Sequence, residues 1–204
     1  MKFNEVGFRA YYHKFIVVPM KDKLRSVIEN FPAADKANCI LTYGYVDHSA
    51  GLTLEVLASA FKSDDGFLFE MGNPEINSKI RISLIMEDDC YYLKDENDQL
   101  YERYADKIDI LAYYSSNDEI EKSRNMIFLD KYRSLEYPDD VLVYLLKDGN
   151  SPEGCWVRIE TLSKHQIIGI LLNEPYQDFG YHKGEEIAFY VHQKDDKEIV
   201  LCSY

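Results

Sequence analysis

The chain has 204 residues, enough for one large domain or two small ones, and enough to bury a core without disulfide or metal staples. Its 46% hydrophobic and 14% aromatic content belongs to a folded protein and excludes a disordered one. Thirty-six acidic residues against 23 basic give a formal charge of −13, which opposes approach to nucleic acid and to anionic membrane surfaces and favours a basic protein partner.

The 17 tyrosines fit half-buried sheet faces, or, in a sharper reading, a contact surface, because the ring is apolar and its hydroxyl wants a partner or water. Cys39, Cys90, Cys155 and Cys202 are far apart in sequence, each beside strand-like apolar residues, and read as buried free thiols. Nothing in this spacing asks for a metal or a cofactor. The N-terminus lacks an apolar leader core and no run approaches the ~18 apolar residues of a membrane span, so the expected location is the bacterial cytoplasm.

In chain order, Phe15–Val18 is a short strand closed by Pro19. Leu24, Val27, Ile28 and Phe31 follow helical spacing up to Pro32. Residues 39–46 (CILTYGYV) form a second strand. Thr53, Val56, Leu57, Ala60 and Phe61 line one face of a second helix that ends near Ser63-Asp64-Asp65-Gly66. Phe67, Phe69 and Met71 alternate before a turn at Gly72-Asn73-Pro74, and Ile80, Ile82, Leu84 and Met86 alternate as a half-buried strand. Cys90–Leu93 is a short strand between two acidic clusters. The second cluster, Asp95-Glu96-Asn97-Asp98, lacks the glycine and the final glutamate of a calcium loop, so it reads as a solvated turn. Residues 108–114 (IDILAYY) read as a strand.

Ser116 and Glu119 have the spacing of a capping box, opening a helix whose face carries Ile120, Arg124, Ile127, Phe128, Lys131 and Leu135, and which Pro138 ends. Beyond it come strands at 141–146, 155–162, 166–173, 186–191 and 199–203, with short turns between them, the last at Asp195-Asp196. The expected fold class is therefore α+β. Residues 1–115 form a mixed sheet with two helices, and residues 116–204 a linking helix followed by a small antiparallel β-barrel.

The segments YPDDV (137–141), PEGCWVRIE (152–160), GILLNEP (169–175) and FGYHKGEEIAF (179–189) resemble a bacterial domain-of-unknown-function family of small barrels. That family carries a WVR strand and a G-x-L-x-N-x-P turn, and some of its relatives lie beside toxin-immunity genes. The resemblance covers roughly residues 116–204 and implies an immunity-type interaction module. No catalytic residue comes with it, and residues 1–115 resemble no family.

Alternation in the WVR strand puts Trp156 and Arg158 on one face and Cys155, Val157 and Ile159 on the other. If the Val157 face is the core, Trp156 and Arg158 form an exposed pair of hot-spot composition. If Trp156 packs inward, Arg158 pairs with a carboxylate such as Asp139, Asp140 or Glu174. Asn173 and Glu174 close a strand before Pro175, Gly169 marks a bulge or a close backbone approach, and Gly184 supplies a positive φ. Cys155 and His182 are the one Cys–His couple within a single domain that could act as nucleophile and base, yet no local cation activates the thiol. The expectation is a non-catalytic protein-interaction module with an acidic, Tyr-rich surface. The rival is a ligand-binding protein or hydrolase in which Trp156, Arg158, His182, Asp139 and Asp140 converge at the domain junction. Oligomeric state does not follow from the sequence.

Overall fold

A computed structural model describes residues 1–204 except 74, 96, 97, 115, 116, 195, 196 and 204. The chain divides into two units, Met1–Ser115 and Ser116–Tyr204. Strands and helices both contribute, and the class is α+β.

The first unit is a curled antiparallel sheet. Its strands are β1 (Phe15–Pro19), β2 (Cys39–Asp47), β3 (Gly51–Ser63), β4 (Gly66–Met71), β5 (Lys79–Arg81) and β6 (Tyr91–Leu93), in the order β4-β3-β2-β1-β6, with β5 also paired to β3. The short helix α1 (Phe3–Val6) precedes them, and α2 (Gln99–Ile110) follows.

Residues 51–63 form the central strand rather than the helix that their spacing predicts. The Asp47 carboxylate accepts from the backbone N–H groups of Ser49 and Ala50, closing a tight turn that ends at Gly51 with φ +79°. This hairpin folds the segment back along β2, from Asp47↔Gly51 to Cys39↔Ala60. The segment expected to end the helix is the next turn, Ser63↔Gly66. Both faces of β3 are covered. Leu52, Leu54 and Val56 join a core with Phe3, Tyr11, Leu24 and Ile28, while Leu57, Ala58 and Ala60 join a second core with Tyr104, Ile108 and Leu111. A strand buried on both faces reads as a continuous apolar run, which periodicity alone does not separate from a helix.

Four further expectations change. Residues 108–114 complete α2 and a 3₁₀ turn (Leu111–Tyr114), with Tyr104, Ile108 and Leu111 on the buried side at helical spacing. The Asp95 carboxylate receives the backbone N–H groups of Leu100 and Tyr101, both at 2.8 Å, so the second acidic cluster serves to cap α2. Glu96 and Asn97 lie outside the described residues. The alternation at 80–86 stops after β5, because Ile82–Leu84 is a 3₁₀ turn that buries Ile82 and Ile85 and exposes Leu84. Residues 22–27 are likewise 3₁₀ rather than α, although Leu24, Ile28 and Phe31 are buried as one face.

The second unit is a closed five-stranded barrel of β7 (Asp140–Leu146), β8 (Glu153–Leu162), β9 (Ile167–Leu171), β10 (Glu186–Lys194) and β11 (Lys197–Ser203). Four neighbouring pairs are antiparallel, and the parallel pair β11–β7 closes the ring. Alternation sends Val141, Val143, Leu145, Cys155, Val157, Ile159, Leu171, Ile187 and Phe189 inward, where Phe179 and Leu129 complete the core. The bulge in β8 between Ile159 and Thr161 lies opposite Gly169. A Cβ on Gly169 would lie 2.2 Å from the Arg158 carbonyl oxygen, so close backbone approach explains this glycine. Gly184 has φ +90°.

The long linking helix is shorter than its sequence face suggests. Helix α3 spans Asp118–Arg124, and a 3₁₀ segment covers Ile127–Tyr132, with Ile127 73% exposed. Asn117 is the cap, its side chain accepting from the N–H groups of Glu119 and Ile120 at 3.0 and 2.9 Å. Ser116 and the Asp195-Asp196 turn lie outside the described residues. Glu119, expected to reach back to the cap, instead accepts from the Thr161 hydroxyl and the Leu162 N–H, pinning α3 to β8 beside its bulge.

Candidate functional site

The barrel strands decide where each singled-out residue points. The Val157 face is the core, so Trp156 faces outward and is 39% exposed. Leu142 lies directly opposite it on β7, and on its other side the Leu172 N–H donates to the Trp156 carbonyl. Leu142, Trp156 and Leu172 thus form a cross-strand apolar row on the outer surface. One step along the strands runs a second row, Asp140, Arg158, Ile170 and Glu186. Here the Arg158 guanidinium grips Asp140 through two hydrogen bonds of 2.7 and 3.0 Å. The Asp140 carboxylate holds that guanidinium above its ordinary pKa.

The neighbouring carboxylate has another task. Asp139 is 2% exposed and receives Arg124 through Nε at 2.9 Å and Nη2 at 2.6 Å, locking α3 to the entrance of β7. Arg133 donates to the Pro138 and Ser123 carbonyls, folding the chain back between these two elements. Buried carboxylate and guanidinium satisfy one another here.

Asn173, Glu174 and His182 organise the segment between β9 and β10. The Asn173 Oδ1 accepts the Trp156 backbone N–H at 2.7 Å. Glu174 accepts the Lys183 N–H at 2.8 Å and stands 2.7 Å from His182 Nδ1. These bonds hold the Glu174 carboxyl below its ordinary pKa and raise that of the His182 ring. Glu153 accepts the backbone N–H groups of Tyr176 and Gln177, presenting the 98%-exposed Tyr176 beside the start of β8.

The structure therefore brings the sequence candidates together in pairs rather than in one constellation: Asp139 with Arg124, Asp140 with Arg158, Asn173 with the Trp156 backbone, and Glu174 with His182. Cys155 is buried in the barrel core and its thiol is pushed up by that burial, while His182 is exposed and engaged by Glu174. All four cysteines are free and buried. Among the described residues, no three His, Cys, Asp or Glu side chains are grouped to hold a metal ion, and no helix is long and apolar enough to cross a membrane.

Two features escaped sequence reasoning. A groove of about 290 Å³ opens on the barrel unit, lined by Met126, Phe128, Leu162, Ile167, Tyr190 and Val191, with Lys164 and His165 at its polar side. Its walls come from three separate segments, so no local motif marks it. In the first unit, Glu55 is 2% exposed on β3 and faces Lys107 of α2 at 3.8 Å. Its one sequence signal is a single acid inside the apolar run LTLEVLASAF.

Compared with protein-family models, curated proteins and solved structures, the chain matches none.

Proposed function

We propose that this protein is a non-catalytic interaction module whose barrel docks a basic protein through the outer face centred on Trp156. The observation that carries this reading is the cross-strand row Leu142, Trp156 and Leu172, left outward on a closed barrel while the neighbouring reactive side chains are engaged with one another. A large aromatic in an apolar row, flanked by an arginine, has the composition of an interface hot spot. Glu174 follows directly on the Asn173 that holds the Trp156 backbone, and Glu186 ends the adjacent row. The formal charge of −13 extends this acidity over the chain, so association with a basic partner would be steered by charge and weakened by salt. The resemblance read in the sequence of residues 116–204, which no family model matches, would give this module an immunity-type role, with a toxin as the basic partner.

The test is capture by the full chain from native lysate at low and at high salt, with Trp156→Ala in parallel. The expected outcome is a stoichiometric basic protein bound by the wild type, released by salt and bound at least ~30-fold more weakly by the variant, the scale of a hot-spot truncation. Equal capture by both chains would place the interface elsewhere.

The groove by Phe128 and Tyr190 favours a second reading, a small apolar ligand. At about 290 Å³ it sits at the lower end of ligand-pocket volumes. Thermal stabilisation by a hydrophobic probe, lost in Phe128→Ser, would support it.

A further inference from the structure

We propose that Glu55 and Lys107 form a proton-operated latch in the N-terminal unit: with Glu55 protonated, α2 and the loop carrying Ile76 lie closed on β3, and ionisation of Glu55 loosens that packing. The geometry begins with Lys107, whose ammonium donates to the carbonyl of Val56 on β3 at 2.9 Å and to that of Ile76 at 2.7 Å. One buried side chain thus ties helix, central strand and loop together. The ammonium also lies 5.3 Å from the centre of the Phe31 ring and faces Glu55 Oε1 at a distance longer than a hydrogen bond, and Glu55 Oε2 has no hydrogen-bond partner among the described residues. A buried carboxylate in this position is costly when charged and far less so when protonated.

Of the other groups facing Glu55, Lys79 relieves it only in part. Tyr43 lies opposite it on β2, and Tyr45 follows on the same face. Tyr104 stands one turn before Lys107 on the buried side of α2. Lys79 is the cross-strand neighbour on β5, but its ammonium sits 4.0 Å from the centre of the Tyr114 ring. Arg81, two pairs further along, is bound to the Thr53 hydroxyl.

Burial carries the Glu55 carboxyl from its ordinary 4.5 up to about 7, against the opposing pull of Lys107 and Lys79. Between these values the folded unit holds a proton that the unfolded chain has released. Stability therefore falls as pH rises through this window, opposite to the usual effect of a paired carboxylate. The Lys107 ammonium, pushed down by its own burial, works in the opposite sense as pH rises toward 10.5.

Hydrogen exchange of the full chain, corrected for intrinsic rates and read on peptides from β3 and α2, tests the latch between pH 5.5 and 8. Protection of these peptides in the wild type should fall on the order of 10-fold across the range, while Glu55→Gln stays flat and is better protected at pH 8. The same pH profile in both chains, or a flat wild type, overturns the proposal. Should Glu55→Gln not fold, the carbon resonance of the Glu55 carboxyl in the wild type decides. A midpoint near neutrality supports the latch, and one in the ordinary carboxylate range refutes it.

Discussion

Asp139 and Asp140 are adjacent and chemically identical, and the fold gives them opposite duties. Alternation at the start of β7 turns Asp139 to the buried Arg124 and Asp140 to Arg158 on the outer face. Asp139→Ala would leave a fully buried guanidinium without its main counter-charge, and denaturant unfolding should show a loss of about 3–5 kcal/mol. Asp140→Ala acts on a partly exposed pair and should cost a fraction of that. A second residue-scale prediction concerns Gly169, where a Cβ would meet the Arg158 carbonyl oxygen and Val157 Cγ1. Gly169→Ala must shift β9 against β8, and a loss of about 1–3 kcal/mol is expected in the same measurement. The close approach at Gly169 was legible in the sequence, but the pairing of Arg158 was expected only with Trp156 turned inward, whereas Trp156 faces outward and Arg158 still takes Asp140. Which carboxylate Arg158 takes was not legible, because that choice depends on the β7–β8 register, and register is set by pairing across the barrel.

At the scale of elements, β7, β8 and β9 were readable because they alternate between a buried core and a solvated face, whereas β11 buries Val200, Leu201 and Cys202 in succession. The β7–β8 turn is short and carries Asp148, Gly149 and Asn150, whereas β9 and β10 are joined by the longer segment 172–185. The N-terminal sheet hid its central strand for the opposite reason. Both faces of β3 are covered, so the alternation vanishes and the apolar positions fall as well on a helix. Helix α2 was missed altogether because its apolar face starts upstream at Tyr104, and the short window IDILAYY shows only its last three residues and the 3₁₀ turn that follows. Helix α3 illustrates capping chemistry. Serine and glutamate have the right spacing, yet Asn117 caps the helix and Glu119 is drawn away to β8. Asn117→Ala should therefore cost about 1 kcal/mol in unfolding experiments, while Glu119→Gln should loosen hydrogen-exchange protection around Thr161 and Leu162 rather than at the helix start.

Over the whole molecule, two units carry two different physical properties. The N-terminal sheet buries an acid and an amine between its layers, and its stability follows the protonation of Glu55. The barrel pairs Asp140 with Arg158 and Glu174 with His182, and turns a tryptophan row outward, the face on which the proposed docking rests. The most direct measurement of that account is the salt-dependent binding of the full chain to its captured partner, compared between wild type and Trp156→Ala at matched thermal stability. The account predicts a basic partner whose affinity falls with salt for the wild type and is lost in the variant. An unchanged affinity in Trp156→Ala, or a partner indifferent to salt, would contradict it.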